Sequence, residues 1–250
     1  MRSLIVCLLV FVSLQAQSIT IFAASDLKFA LDTIKTNFLQ THPDDTIKII
    51  YGSSGKGRTQ IARGAPYHLY FSANMNYVDM LYVSGDIATK PKLYAIGRLV
   101  LWSKNKNFQP KEGFANLTQS WAKKVAIANP SHAPYGEKAQ QALVSKKLYQ
   151  KIKNKIILGE NISQTANFIN IQAADIGIIA LSLVKSPAIQ NSPYNNYYLI
   201  DDSLHKPLYQ GYGITRYGAH SQLARQFYTY FQTPQAQRIM QRYGFSKTKE

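Results

Sequence analysis

The sequence predicts an α/β protein of two lobes with a ligand cleft between them. Short β-rich apolar runs alternate with amphipathic helical segments along most of the chain, which implies parallel sheets covered by helices on both faces. The units fall into two sets, and the roughly 230 residues after residue 18 are enough for one large or two small α/β domains, each burying its own core. Open α/β sheets bind ligands beyond the carboxyl ends of their strands, where the following helices point their amino ends.

The first stretch, residues 1–18, reads as an export signal. Arg2 supplies a positive start, Leu4 to Leu14 an apolar run, and Ala16-Gln17-Ser18 a small-x-small cleavage site. The run is about a dozen residues long, short of the ~20 needed to span a bilayer. Cys7, the single cysteine, lies inside this run and not at its end, which argues against a lipid-modified cysteine. The mature chain is therefore expected to be soluble and to hold neither a disulfide nor a thiolate metal site.

Residues 20–23 form an expected strand. Ser25-Asp26 make the turn, and Leu27, Ala30, Leu31, Ile34 and Phe38 follow at helical spacing. Residues 46–51 are the next strand, 52–57 a turn and 59–63 the opening of a helix. A third strand, 68–72, leads into a helix over 75–84. Strands at 99–103 and 124–128 come next. The loop 129–136, with two prolines and Gly136, precedes a helix over 137–144. A strand at 155–158, a turn at 159–163 and a helix at 164–171 repeat the plan. Strands at 174–181, 197–200 and 208–215 precede two terminal helices built around Leu223, Phe227, Phe231 and Ile239, Tyr243.

A net charge of +16, from 29 Lys and Arg against 13 Asp and Glu, raises nucleic acid as a partner. The basic residues are scattered, however, and their densest run, 146–155, falls on an expected exposed helix. No zinc-finger, RRM or KH pattern accompanies it. The charge reads as general attraction for an anion or an anionic membrane face, or as plain basic composition.

Three strand-to-helix turns carry hydroxyls at the helix entrance: Ser25, then Ser53 or Ser54, then Ser163 with Thr165. A fourth, at Tyr135-Gly136, offers bare amides. Helix starts leave unpaired N–H groups and a partial positive charge, so several converging on one cleft make an anion site without Lys or Arg. Each hydroxyl is equally at home as a simple helix cap. The 52–57 turn lacks the spacing of a nucleotide loop, and Lys56 breaks the G-x-S-x-G of a nucleophile elbow. His42, His68, His132, His205 and His220 lie on separate segments without metal-ligand spacing. Of these, His132 sits in a loop expected to border the cleft.

Several runs carry a family resemblance. They are Ile19-Thr20-Ile21-Phe22-Ala23-Ala24-Ser25-Asp26-Leu27, Gly52-Ser53-Ser54-Gly55, Gln60-Ile61 with Gly64-Ala65-Pro66, and Phe71-Ser72-Ala73. Further on come Asn161-Ile162-Ser163-Gln164-Thr165-Ala166, Ala174-Asp175-Ile176-Gly177 and Tyr243-Gly244-Phe245. Together, over essentially the whole mature chain, they resemble the periplasmic molybdate-binding proteins of ABC transporters. The resemblance implies a type II periplasmic-binding fold that closes over its anion. Lobe I would be residues 19–98 plus 208–250, and lobe II residues 99–207. It also implies a monomer that delivers molybdate, and comparably tungstate, to an inner-membrane permease. No cofactor, nucleic acid or catalysis is implied, and the metal enters only as the bound oxyanion, with no protein–metal ligands.

In that family the anion is held by two strand-end serines, two amides of the inserted lobe and a tyrosine hydroxyl. Matching motifs places the first serine on Ser25 or Asp26, the second on Ser54 with Ser53 beside it, and the amides on Tyr135 and Ile162. Ungapped, the first family serine falls on Asp26. A carboxylate repels a dianion, so Ser25 is expected to turn inward and Asp26 to cap or face solvent. Ala180 stands at the family tyrosine, leaving Ser182, Ser163 or Tyr212 to replace its hydroxyl. Rival readings are sulfate, phosphate or a small carboxylate as ligand, or an exported phosphate- or sulfate-ester enzyme. The enzyme would need a nucleophile with an adjacent base or a metal.

Overall fold

The computed structural model describes residues 16–246. The expected export segment lies outside them except for its carboxyl end. In chain order come β1 (Ser18–Ala24), α1 (Lys28–Leu39), β2 (Thr46–Gly52), α2 (Ser54–Ala62), β3 (Leu69–Ser72), α3 (Met75–Val83) and β4 (Lys92–Gly97). The chain crosses to β5 (Leu99–Trp102), β6 (Val125–Ala128), α4 (Pro134–Ser145), α5 (Tyr149–Ile152), β7 (Ile156–Gly159) and α6 (Ile162–Asn170). Next are β8 (Ile176–Ala180), α7 (Leu181–Val184), α8 (Pro187–Gln190) and β9 (Tyr197–Leu199). It returns through β10 (Leu208–Ile214), α9 (Gln222–Tyr230) and α10 (Pro234–Arg242).

The strands form two sheets, ordered β2-β1-β3-β10-β4 in lobe I and β7-β6-β8-β5-β9 in lobe II. The expectation of parallel sheets is corrected: both are mixed. β1 runs parallel to β2 and β3, whereas β10 is antiparallel to β3 and β4. Likewise β6 is parallel to β7 and β8, and β5 antiparallel to β8 and β9. The reversed strand in each sheet is the first one after the chain crosses between lobes. Crossing over, not a local sequence preference, sets its direction.

Both faces of the lobe I sheet are covered, which is why β1 is apolar on successive residues. Ile21, Leu31, Ile34, Phe71 and Phe227 pack on one face, and Phe22, Ile61, Tyr70 and Val78 on the other. Lobe II has its own core around Leu101, Val125, Ile127, Leu143 and Ile178. Tyr194, Tyr197 and Tyr198 serve this lobe's edge. The Tyr194 carbonyl accepts the Trp102 indole N–H at 2.7 Å, and the Tyr198 ring meets Phe114 edge-on.

Several boundaries differ from expectation. α2 begins at Ser54, so Gly55 and Gly57 of the expected turn are helical, while Gly52 ends β2; Gly55 is needed because a Cβ there would lie 2.7 Å from the His132 carbonyl oxygen. α4 begins at Pro134, whose fixed φ suits the first helical position. The basic run 146–155 is not one helix: α4 ends before it, Lys147 adopts a positive φ of 55°, and α5 and a 3-10 turn follow. β4 was not expected, because its short run opens on Lys92 and carries only a weak strand pattern. Among the described residues no helix is long and apolar enough to cross a membrane.

Candidate functional site

The carboxyl ends of β1, β2 and β3 face those of β6 and β7 across the seam between lobes. There the turns after β1 and β2 meet the starts of α4 and α6 around one recess, lined by Ser25, Asp26, Ser53, Ser54, Tyr135 and Ile162 among others. Its volume is about 190 Å³, open solvent at the mouth included. A wider groove, about 1290 Å³ by the same measure, opens beside it along the seam, past Lys28 and Trp102. Of the three helix starts only that of α6 borders this groove, so the recess is the better-built site.

The starts of α2, α4 and α6 leave the N–H groups of Ser54, Tyr135 and Ile162 without intrahelical acceptors. Neither α2 nor α4 has a side-chain N-cap bond; Gly55 N–H is taken by the His132 carbonyl and the Gly136 and Glu137 N–H groups by the Ala133 carbonyl, which leaves the Ser54 and Tyr135 amides, with the partial positive charge of each helix start, at the recess. In α6 the Asn161 carboxamide caps Gln164 N–H at 3.0 Å, leaving Ile162 N–H uncapped. Ser54 Oγ accepts the Ala73 N–H at 2.9 Å. Its hydroxyl hydrogen remains available to an acceptor in the recess.

Direct hydrogen bonds hold the lobes together around these donors. Gly55 N–H donates to the His132 carbonyl at 2.9 Å, and Ser53 Oγ pairs with His132 Nδ1 at 2.9 Å. Ser25 Oγ donates to Asn161 Oδ1 at 3.1 Å and accepts Ser163 N–H at 3.2 Å. Ser163 Oγ donates to the Ser25 carbonyl at 2.8 Å. At the rim Lys56 Nζ lies 2.5 Å from a Glu160 carboxylate oxygen, and His132 Nε2 lies 3.7 Å from the other.

Comparison with known proteins decides what kind of molecule this is. A family model described as bacterial extracellular solute-binding protein matches residues 19–246. The chain belongs to that family. A Bacillus subtilis protein provisionally named as an ABC transporter substrate-binding lipoprotein is 30% identical over 233 residues, covering 92% of this chain and 86% of that one. The molybdate-binding protein of Rhodobacter capsulatus is 29% identical over 201 residues, or 80% of this chain and 77% of its own. The solved periplasmic molybdate-binding protein of Azotobacter vinelandii superposes with a TM-score of 0.85 at 27% identity, covering 92% of this chain and all (100%) of that one. The two-lobed α/β fold is thus that of type II periplasmic binding proteins, and the family is one of exported solute-binding transport proteins, not of enzymes.

In this solute-binding protein Asp26 does not face solvent: it is 1% exposed. Its Oδ2 accepts hydrogen bonds from the Tyr135 hydroxyl and from Gln210 Nε2, each at 2.9 Å, and Gln210 Nε2 also donates to Tyr135 Oη at 3.0 Å. Among the described residues Oδ1 has no partner. Burial pushes the carboxyl up to about 6, against the lowering effect of the Gln210 and Tyr135 bonds. The expectation failed because it weighed only charge repulsion, whereas the Tyr135 and Gln210 donors give the carboxyl partners inside the protein.

The hydroxyls expected to replace the family tyrosine do not reach the recess. Ser182 Oγ donates to the Asp26 carbonyl at 2.8 Å, Ser163 to Ser25 as above, and Tyr212 to the Tyr228 carbonyl at 3.2 Å. Ser163 and Ser182 therefore position the β1 turn. Ala180 ends β8 as a buried apolar residue. Sequence reasoning missed Gln210 and the Tyr135 hydroxyl. The available signal for Gln210 was an amide inside the apolar strand β10, where it is fully buried and so requires partners.

Proposed function

We propose that this solute-binding protein captures a tetrahedral oxyanion, molybdate and comparably tungstate, and delivers it to an inner-membrane ABC permease. The observation that carries the reading is the convergence of uncapped helix starts from both lobes on one recess. The donors are the Ser54 hydroxyl and the amides of Ser54, Tyr135 and Ile162, completed by the Ser25–Asp26 turn, with Ser53 at the wall. Charge-assisted bonds are worth roughly 1.5–3 kcal/mol each net, so a handful supports micromolar or tighter binding after association costs. The molybdate-binding names of the Rhodobacter and Azotobacter relatives support the choice of ligand.

On this reading the chain works as a monomer without a cofactor or nucleic acid, and no bond is made or broken. Residues 1–18 are a signal cleaved near Ser18, which leaves the mature protein in the periplasm. Sheet membership supports taking residues 19–98 with 208–250 as lobe I and 99–207 as lobe II. Thermal unfolding with added anions tests the function. A ligand present at about 100 times its Kd stabilises by about 2.7 kcal/mol. Molybdate and tungstate are expected to raise the midpoint at concentrations where sulfate and phosphate do not. Equal shifts with all four would contradict the assignment.

A further inference from the structure

Among the residues lining the recess, Asp26 is the acidic one. Its carboxyl joins three parts of the molecule: the β1 turn of lobe I, Tyr135 on α4 of lobe II, and Gln210 on the strand that returns between them. With Oδ2 already accepting two donors, a proton on this carboxyl belongs on Oδ1, the buried oxygen without a partner. An ionised Asp26 and a dianion side by side in a dry recess repel strongly, whereas a protonated Asp26 offers the anion one more donor.

We propose that Asp26 takes up a proton from solvent as the anion enters and presents Oδ1–H to an anion oxygen. Capture is then proton-coupled and selects fully deprotonated tetrahedral dianions over anions that carry their own proton. This rests on the oxyanion reading above. The groups around the carboxyl leave it as the site of titration. From α4 and β4 it faces the hydroxyls of Tyr135 and Tyr94, both held well above the usual phenol range by burial. From α7 and β10 it meets the uncharged Ser182 and Gln210. α2 and α6 bring Ser54 and Ile162, and their titratable neighbours Lys56 and His132 both lie against Glu160 at the rim. Lys28, on the helix that follows Asp26, lines the outer groove. Burial, and no neighbouring charge, raises the acid.

Calorimetric titration of the wild-type protein with molybdate, from about pH 6 to pH 8.5 in buffers of different ionisation enthalpy, reads the proton directly. Uptake approaching one proton per anion is expected above about pH 7, with affinity falling up to about tenfold per pH unit. Asp26→Asn keeps a donor of similar shape and is expected to bind with neither the pH slope nor the buffer-dependent heat. Anion binding by the wild type without proton uptake would overturn the proposal and leave the oxyanion reading intact. So would an Asp26→Asn protein with the wild-type slope, which would move the proton to His132. Preference of the wild type for hydrogen phosphate over molybdate would overturn it too, since Asp26 would then be an ionised acceptor. Failure of both proteins to bind molybdate, tungstate, sulfate or phosphate would overturn the proton coupling together with the reading beneath it.

Discussion

Ser54 shows how one side chain can serve both the fold and a ligand. Its oxygen accepts the Ala73 N–H, and on the proposed oxyanion reading its hydrogen is left for the anion. Ser54→Ala removes that donor and is expected to weaken molybdate binding by about 1–3 kcal/mol, roughly fivefold to 150-fold; unchanged affinity by titration would place the anion elsewhere. Asp26 carries a separate consequence for stability. An acid raised in the fold from 3.8 to about 6 contributes stability that is fully present below its unfolded value and is lost as pH rises through about 6. Asp26→Asn is therefore expected to be more stable than wild type at about pH 8, by up to about 3 kcal/mol, and to lose most of that advantage near pH 4. Urea unfolding at the two pH values checks this, and an advantage that does not change with pH contradicts it. Ser54 could be read from the sequence because strand-end hydroxyls recur before helices. Asp26 could not, because its burial and its bonds to Tyr135 and Gln210 bring together residues far apart in sequence.

The helix starts are the elements that make the recess, and two glycines separate closure from folding. At Gly55 a Cβ would press on the opposite lobe, 2.7 Å from the His132 carbonyl oxygen, whereas at Gly136 it would fall inside lobe II, 2.0 Å from the Ala128 carbonyl oxygen. Gly55→Ala is expected to hold the lobes apart and lower anion affinity about tenfold or more, with little change in the unfolding of the ligand-free protein. Gly136→Ala is expected to destabilise lobe II itself by about 1–3 kcal/mol. Chemical denaturation beside anion titration distinguishes the two, and identical behaviour of both variants would contradict the distinction. The strand-turn-helix repeats around these starts were legible from spacing alone. The starts themselves were misplaced because Gly55, Pro134 and Gly136 read as loop residues when seen without the neighbouring chain. β4 and the mixed sheet direction were hidden for a related reason, since both follow from where the chain crosses between lobes.

For the whole molecule, function depends on closure, and the ligand favours the closed state only through contacts that the open state lacks. The bonds already present across the seam differ in weight. The Lys56–Glu160 pair is half exposed at 53% and 42%, and pairs of this kind contribute about 0–1 kcal/mol. Glu160→Gln is therefore expected to change anion affinity by less than about fivefold, and a larger loss would show that the rim pair governs closure. On the proposed oxyanion reading, the buried donors from both lobes carry the specificity. The most direct test of this is titration calorimetry of the mature protein with molybdate, tungstate, sulfate and phosphate at matched ionic strength and pH. The account expects tight one-to-one binding of molybdate and tungstate with weak binding of sulfate and phosphate; no binding of the first two, or equal binding of all four, would contradict it.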